Sequence, residues 1–201
     1  MCTLYRVKPS REEIAALFRA GVPLTPLADT TDELFPKRVA PVVRRATSAG
    51  DLTVDAMRWE FPPPQAGRAP VVNVRNLASP FWRTALGDPA RRCLVPVSEY
   101  CEWEGETGAK RQRWFRLIDR DIFAFAGIWR PVPPAESGPG AGVCAAFAFV
   151  TTNPNPLVAA IHAKSMPVIL HAEDHGRWLE GDFADACALI APFPSPLMAV
   201  G

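Results

Sequence analysis

Residues 122–151 read IFAFAGIWRPVPPAESGPGAGVCAAFAFVT. Two apolar runs, 122–129 and 143–151, are rich in Phe, Val and Ile and too short for ordinary core helices, so each reads as a buried strand. The segment between them, 131–142, is dense in proline and glycine and cannot hold a core of its own. Because it sits between two strong apolar runs, it reads as an insertion in a hairpin and not as a domain boundary. Working outward, further short runs at 42–43, 71–74, 93–97, 114–118 and 166–170 read as strands separated by turn residues. The 22 prolines spread along the chain break long periodic segments, which excludes a helical bundle.

Two helices stand out. At 10–20, Ser10 can cap, Glu13 completes a capping box, and Ile14, Leu17 and Phe18 share one face. The second, 171–179, opens with acids and ends before Gly181. Strands outnumber helices without regular alternation, so the class is α+β: one domain over 1–201, with a mostly antiparallel, barrel-like sheet and a few peripheral helices.

The chain has 201 residues, 48% of them apolar, enough for a full core, which rules out a disordered protein. No run approaches the ~18 continuous apolar residues of a membrane span, and the first twenty residues lack the apolar stretch of a signal peptide. A cytoplasmic protein is expected, and a monomer. Five cysteines, Cys2, Cys93, Cys101, Cys144 and Cys187, are an odd number without zinc-ligand spacing. They support neither a disulfide framework nor a zinc ribbon. Net charge is only +1, but residues 1–116 hold 18 Lys+Arg against 13 Asp+Glu, whereas 117–201 hold 4 against 8. The basic charge is thus gathered where it would suit a local phosphate-binding surface, although arginine richness can equally follow genome composition.

Four residues could carry chemistry. Cys2 follows Met1, and its small side chain leads us to expect Met1 to be removed. A mature N-terminal cysteine offers an α-amine with a pKa near ~8 and a thiol near ~8.5. Together they trap an aldehyde, the amine as a Schiff base and the thiol by closing a thiazolidine ring. Asn73 lies on the strand Val71-Val72-Asn73-Val74-Arg75, where alternation would place Asn73 and Arg75 on one face. Glu102 is flanked by aromatic residues that could desolvate its carboxyl and bring it into the acid–base range. His162 stands just before the apolar run 166–170; a histidine there is often structural.

These segments together resemble the SRAP family, the SOS response-associated peptidases. The residues that carry the resemblance are Met1-Cys2, Asn73-Val74-Arg75, RRCLVP at 91–96 running into Cys101-Glu102-Trp103, AFAGIW at 124–129, Thr151-Thr152-Asn153-Pro154-Asn155, and His162 ahead of MPVIL at 166–170. The order matches across essentially the whole chain. The sequence departs from the family pattern at Thr3-Leu4, at Asn76, at Trp59-Glu60-Phe61 where the family has Trp-Gly-Leu, and at Ala163-Lys164-Ser165.

The resemblance implies a protein that cross-links covalently to abasic sites in single-stranded DNA through Cys2 and removes its own Met1. By the same resemblance Cys2, Asn73, Glu102 and His162 are catalytic, and Arg75, Trp59, Thr152 and Lys164 contact DNA. No metal or organic cofactor and no membrane is implied. Three other readings stay open: a cysteine peptidase acting on other proteins with a Cys2–His162 pair, a non-covalent single-stranded DNA-binding module, and a zinc site built from His162, His171 and His175 with a cysteine. Apart from zinc, His171 reads as a helix cap and His175 as a solvated residue.

Overall fold

The computed structural model describes residues 2–22, 32–46, 50–63, 69–77, 79–106, 108–133 and 143–201. Most of the 131–142 insertion and Met1 lie outside them. The two apolar runs form β9 (Phe123–Pro131) and β10 (Ala145–Thr152), paired antiparallel with Phe149 opposite Gly127. From β9 the ladder continues antiparallel through β6 (Arg92–Val97), β3 (Val39–Arg45) and β4 (Leu52–Trp59). β4 then pairs parallel with β10, which closes five strands into a barrel. Closure removes sheet edges, and every residue of β6 and six consecutive residues of β9 are buried. Gly127 is required on β9: a Cβ there would lie 2.7 Å from Cys93 Sγ and 3.2 Å from the Cys93 carbonyl oxygen.

A second sheet runs in the order β13 (Met198–Val200), β8 (Arg111–Leu117), β7 (Glu99–Glu104), β1 (Leu4–Arg6) and β2 (Glu33–Leu34), all antiparallel. It packs on the barrel through aromatic rings. Tyr5 and Tyr100 meet Phe125 edge-on with centroids 6.3 and 5.6 Å apart, and Tyr5 meets Trp59 at 5.0 Å. This seam fixes the start of the chain, because β1 begins only two residues after Cys2.

The α+β, mostly antiparallel barrel expected from the sequence is present, and its helices are short. α1 (Arg11–Phe18) carries the Ser10–Glu13 capping box and stops where Arg19 turns left-handed at φ 52°. α2 (Pro80–Gly87) adds to the two helices expected. α3 (Pro156–Ala159) is one turn, capped by the Asn155 side chain accepting from the Val158 amide. The segment expected as a helix over 171–179 is a 3-10 turn at Ala172–Asp174 followed by α4 (His175–Glu180), with α5 (Phe183–Ala188) after it. Two histidine expectations need correction. His171 makes no side-chain capping bond and rests on Phe193, with ring centroids 4.6 Å apart. His175 is not solvated but stacks on Phe18 at 5.4 Å, and burial holds it at about 4. No helix among the described residues is long and apolar enough to cross a membrane.

The run 71–74 is mostly irregular. Only β5 (Asn73–Val74) forms, parallel to β10, while Val71 bridges Phe61. β11 (Met166–Pro167) and β12 (Ile169–Leu170) flank the barrel, pairing with β10 and β9.

Candidate active site

Four of the expected residues come together where the aromatic seam ends. Cys2 is 1% exposed, and its thiol donates to the Leu4 carbonyl at 3.5 Å. From β5, Asn73 Nδ2 donates to the Cys2 carbonyl oxygen at 2.9 Å, fixing the backbone of that residue. Asn73 Oδ1 is buried without a hydrogen-bond partner among the described residues. A buried amide oxygen left unmatched costs about 1–3 kcal/mol, so this atom is ready to accept a hydrogen bond from a ligand or a water.

Glu102 comes from β7, which pairs with β1, and its Oε2 lies 3.8 Å from His162 Nδ1. His162 reaches it from the loop after α3, where its amide donates to Val158 O at 2.7 Å. Asn155 anchors that loop from below by donating to the Phe193 carbonyl at 2.7 Å. The pair opens into a cleft of about 450 Å³ lined by Thr3, Glu102, Trp103, Lys110 and His162.

The electrostatics follow from burial. Desolvation pushes the Glu102 carboxyl from 4.5 up to about 7. Desolvation, and then the Glu102 charge, raise the Cys2 thiol well above its ordinary range. At rest the thiol is therefore neutral. His162 is lowered, by desolvation first and also by the Lys164 and Lys110 charges, so its imidazole rests neutral and can take up a proton. The arrangement places a nucleophile beside one carboxyl and one imidazole able to exchange protons near neutral pH.

The expected DNA-contacting residues divide. Lys164 is exposed beside His162, and Arg75 is exposed beyond β5 with its guanidinium donating to Asn153 Oδ1. β5 ends at Val74, so Arg75 does not share the buried environment of Asn73. Thr152 is buried at 8% exposure at the end of β10, opposite Met166. Trp59 is a correction: it is fully buried in the barrel, its indole N–H donates to the Val72 carbonyl at 3.0 Å, and its ring packs on Tyr5 and Phe149. A side chain without accessible surface cannot stack on a base. Glu60, next to it, holds φ 132°, a conformation that favours the glycine of the family pattern.

Sequence reasoning missed Thr3 and Lys110 as lining residues. Thr3 has no chemical signature. Lys110 lies in a glycine-containing turn eight residues past Glu102, and only the β7–β8 hairpin brings it back to the cleft.

Fold and site together define an α+β barrel protein whose second residue, a cysteine, is set among acid–base groups. The chain belongs to the SRAP family, whose description is SOS response associated peptidase and whose profile matches residues 1–200. Solved structures agree on the fold. A protein from Bordetella bronchiseptica is 21% identical with a TM-score of 0.80, covering 100% of this chain and 98% of its own. One from Bacteroides thetaiotaomicron is 21% identical with a TM-score of 0.81, covering 99% and 90%. A phage-related protein, also from Bordetella bronchiseptica, is 19% identical with a TM-score of 0.72, covering 100% and 93%. No curated protein matches the sequence.

Proposed function

We propose that this protein is an abasic-site sensor that bonds covalently to abasic sites in single-stranded DNA through Cys2, after removing Met1 by its own peptidase chemistry. The observation that carries the reading is the convergence of Cys2 and Asn73 on the Glu102–His162 pair, with the Asn73 amide bonded to the Cys2 carbonyl.

An abasic sugar is a hemiacetal whose minor open form exposes an aldehyde. His162 is placed to move the proton that opens the ring. The Cys2 amine then adds to the aldehyde carbon, and the buried Asn73 Oδ1 supplies an acceptor that orients it. Glu102, half protonated near neutral pH, gives the proton with which the carbinolamine oxygen leaves as water. The thiol closes on the imine carbon and its proton passes to the nitrogen. One C–N and one C–S bond form, and one water leaves. A neutral, buried thiol suits this order, because the amine and not the sulfur makes the first bond.

The same groups serve self-processing. As the Met1–Cys2 peptide bond breaks, a water supplies the hydroxyl to the Met1 carbonyl carbon, Glu102 delivers a proton to the Cys2 nitrogen, and the water's remaining proton returns to Glu102. Arg75 and Lys164, both exposed near the site, would hold the phosphodiester on either side. No cofactor is needed for any step.

An oligonucleotide with one abasic site, mixed with the protein and run on a denaturing gel, tests the proposal. The wild type gives a heat-stable shifted band, and Cys2→Ala does not. A wild type without the band, or a Cys2→Ala variant that keeps it, overturns the proposal; cleavage of unrelated peptides in the absence of any DNA adduct would point to a general cysteine peptidase.

A further inference from the structure

Only four of the 22 cationic side chains are lysines, and two of them, Lys110 and Lys164, act on His162. They arrive by separate routes. Lys110 ends the turn of the β7–β8 hairpin, just before β8, and lines the cleft wall, whereas Lys164 projects from the loop that carries His162. Both are exposed, and neither has a carboxylate partner among the described residues. Two nearby arginines are committed elsewhere. Arg113 is held by Glu104 at 2.7 Å, and Arg6 by Glu33 and Glu99 while lying 3.7 Å above the Trp114 ring. Two exposed ammonium groups on either side of one imidazole make this end of the cleft locally positive, which suits an anionic group of a ligand.

Building on the function proposed above, we infer that Lys110 acts together with Lys164 as a paired seat for the phosphodiester that flanks the reacting sugar. Lys110 is a positioning residue in this account, acting on the chemistry through His162. The charged and titratable groups facing His162 are Glu102 from β7, Lys110 from the hairpin, Lys164 from its own loop and the amine of the chain's start. Burial first, then the charge of the chain's terminal amine and those of Lys164 and Lys110, lower His162 and favour its neutral form. A phosphodiester between the lysines cancels their push and lets the imidazole take the proton it must hand to the sugar. Proton donation by His162 is thereby tied to occupancy by DNA.

The test uses a single-stranded oligonucleotide carrying a tetrahydrofuran abasic analogue, which has no aldehyde, so binding is read without the covalent step. Anisotropy titrations between 50 and 200 mM salt give the slope of log K against log salt. Lys110→Gln should make that slope shallower by about 0.7, the value for one phosphate contact on a single strand. Lys164→Gln should do the same, and Lys110→Arg should keep the wild-type slope. By NMR, the His162 ring titration should move upward when the oligonucleotide binds wild type and stay in place in the double variant. A folded Lys110→Gln protein with the wild-type slope, or a His162 titration that does not respond to binding, overturns the inference. A wild type that binds the analogue with these slopes yet forms no adduct with a true abasic strand overturns the proposed chemistry and leaves the phosphate seat standing.

Discussion

Replacing Glu102 with glutamine keeps the size and shape of the side chain and removes its ability to ionise and to give up a proton. The structure sets the size of the effect. At its ordinary value of 4.5 this carboxyl would be only about 0.3% protonated at pH 7, whereas at about 7 roughly half of it carries a proton. Burial thus multiplies the supply of general acid at neutral pH by about 150-fold. Losing a general acid of this kind slows a reaction by about 10²–10⁴-fold, or about 3–5 kcal/mol of barrier. The assay is a quenched time course of adduct formation with abasic single-stranded DNA, resolved on denaturing gels from pH 5 to 9. The wild-type rate should rise as the Cys2 amine loses its proton near ~8 and fall as Glu102 ionises near 7, giving a maximum between about 7 and 8. Glu102→Gln should lose the falling limb together with most of the rate, and removal of Met1 should slow in parallel. A wild-type rate in the glutamine variant, or an alkaline limb that survives the substitution, would refute the assignment.

Other consequences can be read independently. His175 sits at about 4 in the fold against about 6.5 unfolded, so the unfolded chain binds the extra proton first, and stability is lost as pH falls from 6.5 to 4, by at most about 3 kcal/mol. His175→Phe should flatten that part of the pH–stability curve; an unchanged curve in urea titrations would place the acid sensitivity elsewhere. Gly127→Ala drives a methyl to 2.7 Å from Cys93 Sγ inside the closed barrel and should cost about 1–3 kcal/mol, partly recovered by adding Cys93→Ala, whereas a neutral Gly127→Ala would mean that the barrel wall yields. Covalent capture should favour single strands over duplex, because extruding a sugar from a duplex costs a few kcal/mol, and equal yields at matched salt would count against a recessed N-terminus as the reacting group.

The barrel is legible because its strands are continuous apolar runs, as strands buried on both faces must be, and 93–97, 122–129 and 143–151 all lie in its wall. Its closure is not, since the parallel β4–β10 pair joins segments almost ninety residues apart through no local signal. The α1 capping box is readable to the residue, while α2 is marked in advance only by Ser79 and Pro80. Within the site, Cys2, Asn73, Glu102 and His162 are legible as polar groups on apolar strands or at their ends. Trp59 reads wrongly as a DNA contact because an aromatic ending a strand gives no sign of which way it faces. Here the Val72 carbonyl and Tyr5 hold it inward. Lys110 depends on hairpin geometry that composition does not encode.

The intact mass of the purified protein, alone and after incubation with single-stranded DNA carrying one abasic site, tests the central claim most directly. The protein alone should weigh one methionine residue less than the encoded chain, because the Cys2 nitrogen cannot react while acylated. After incubation a second species should appear at the sum of the processed protein and the oligonucleotide less one water, and Cys2→Ala should not form it. A reactive protein that retains Met1, or an adduct of that mass in the Cys2→Ala variant, would contradict the account.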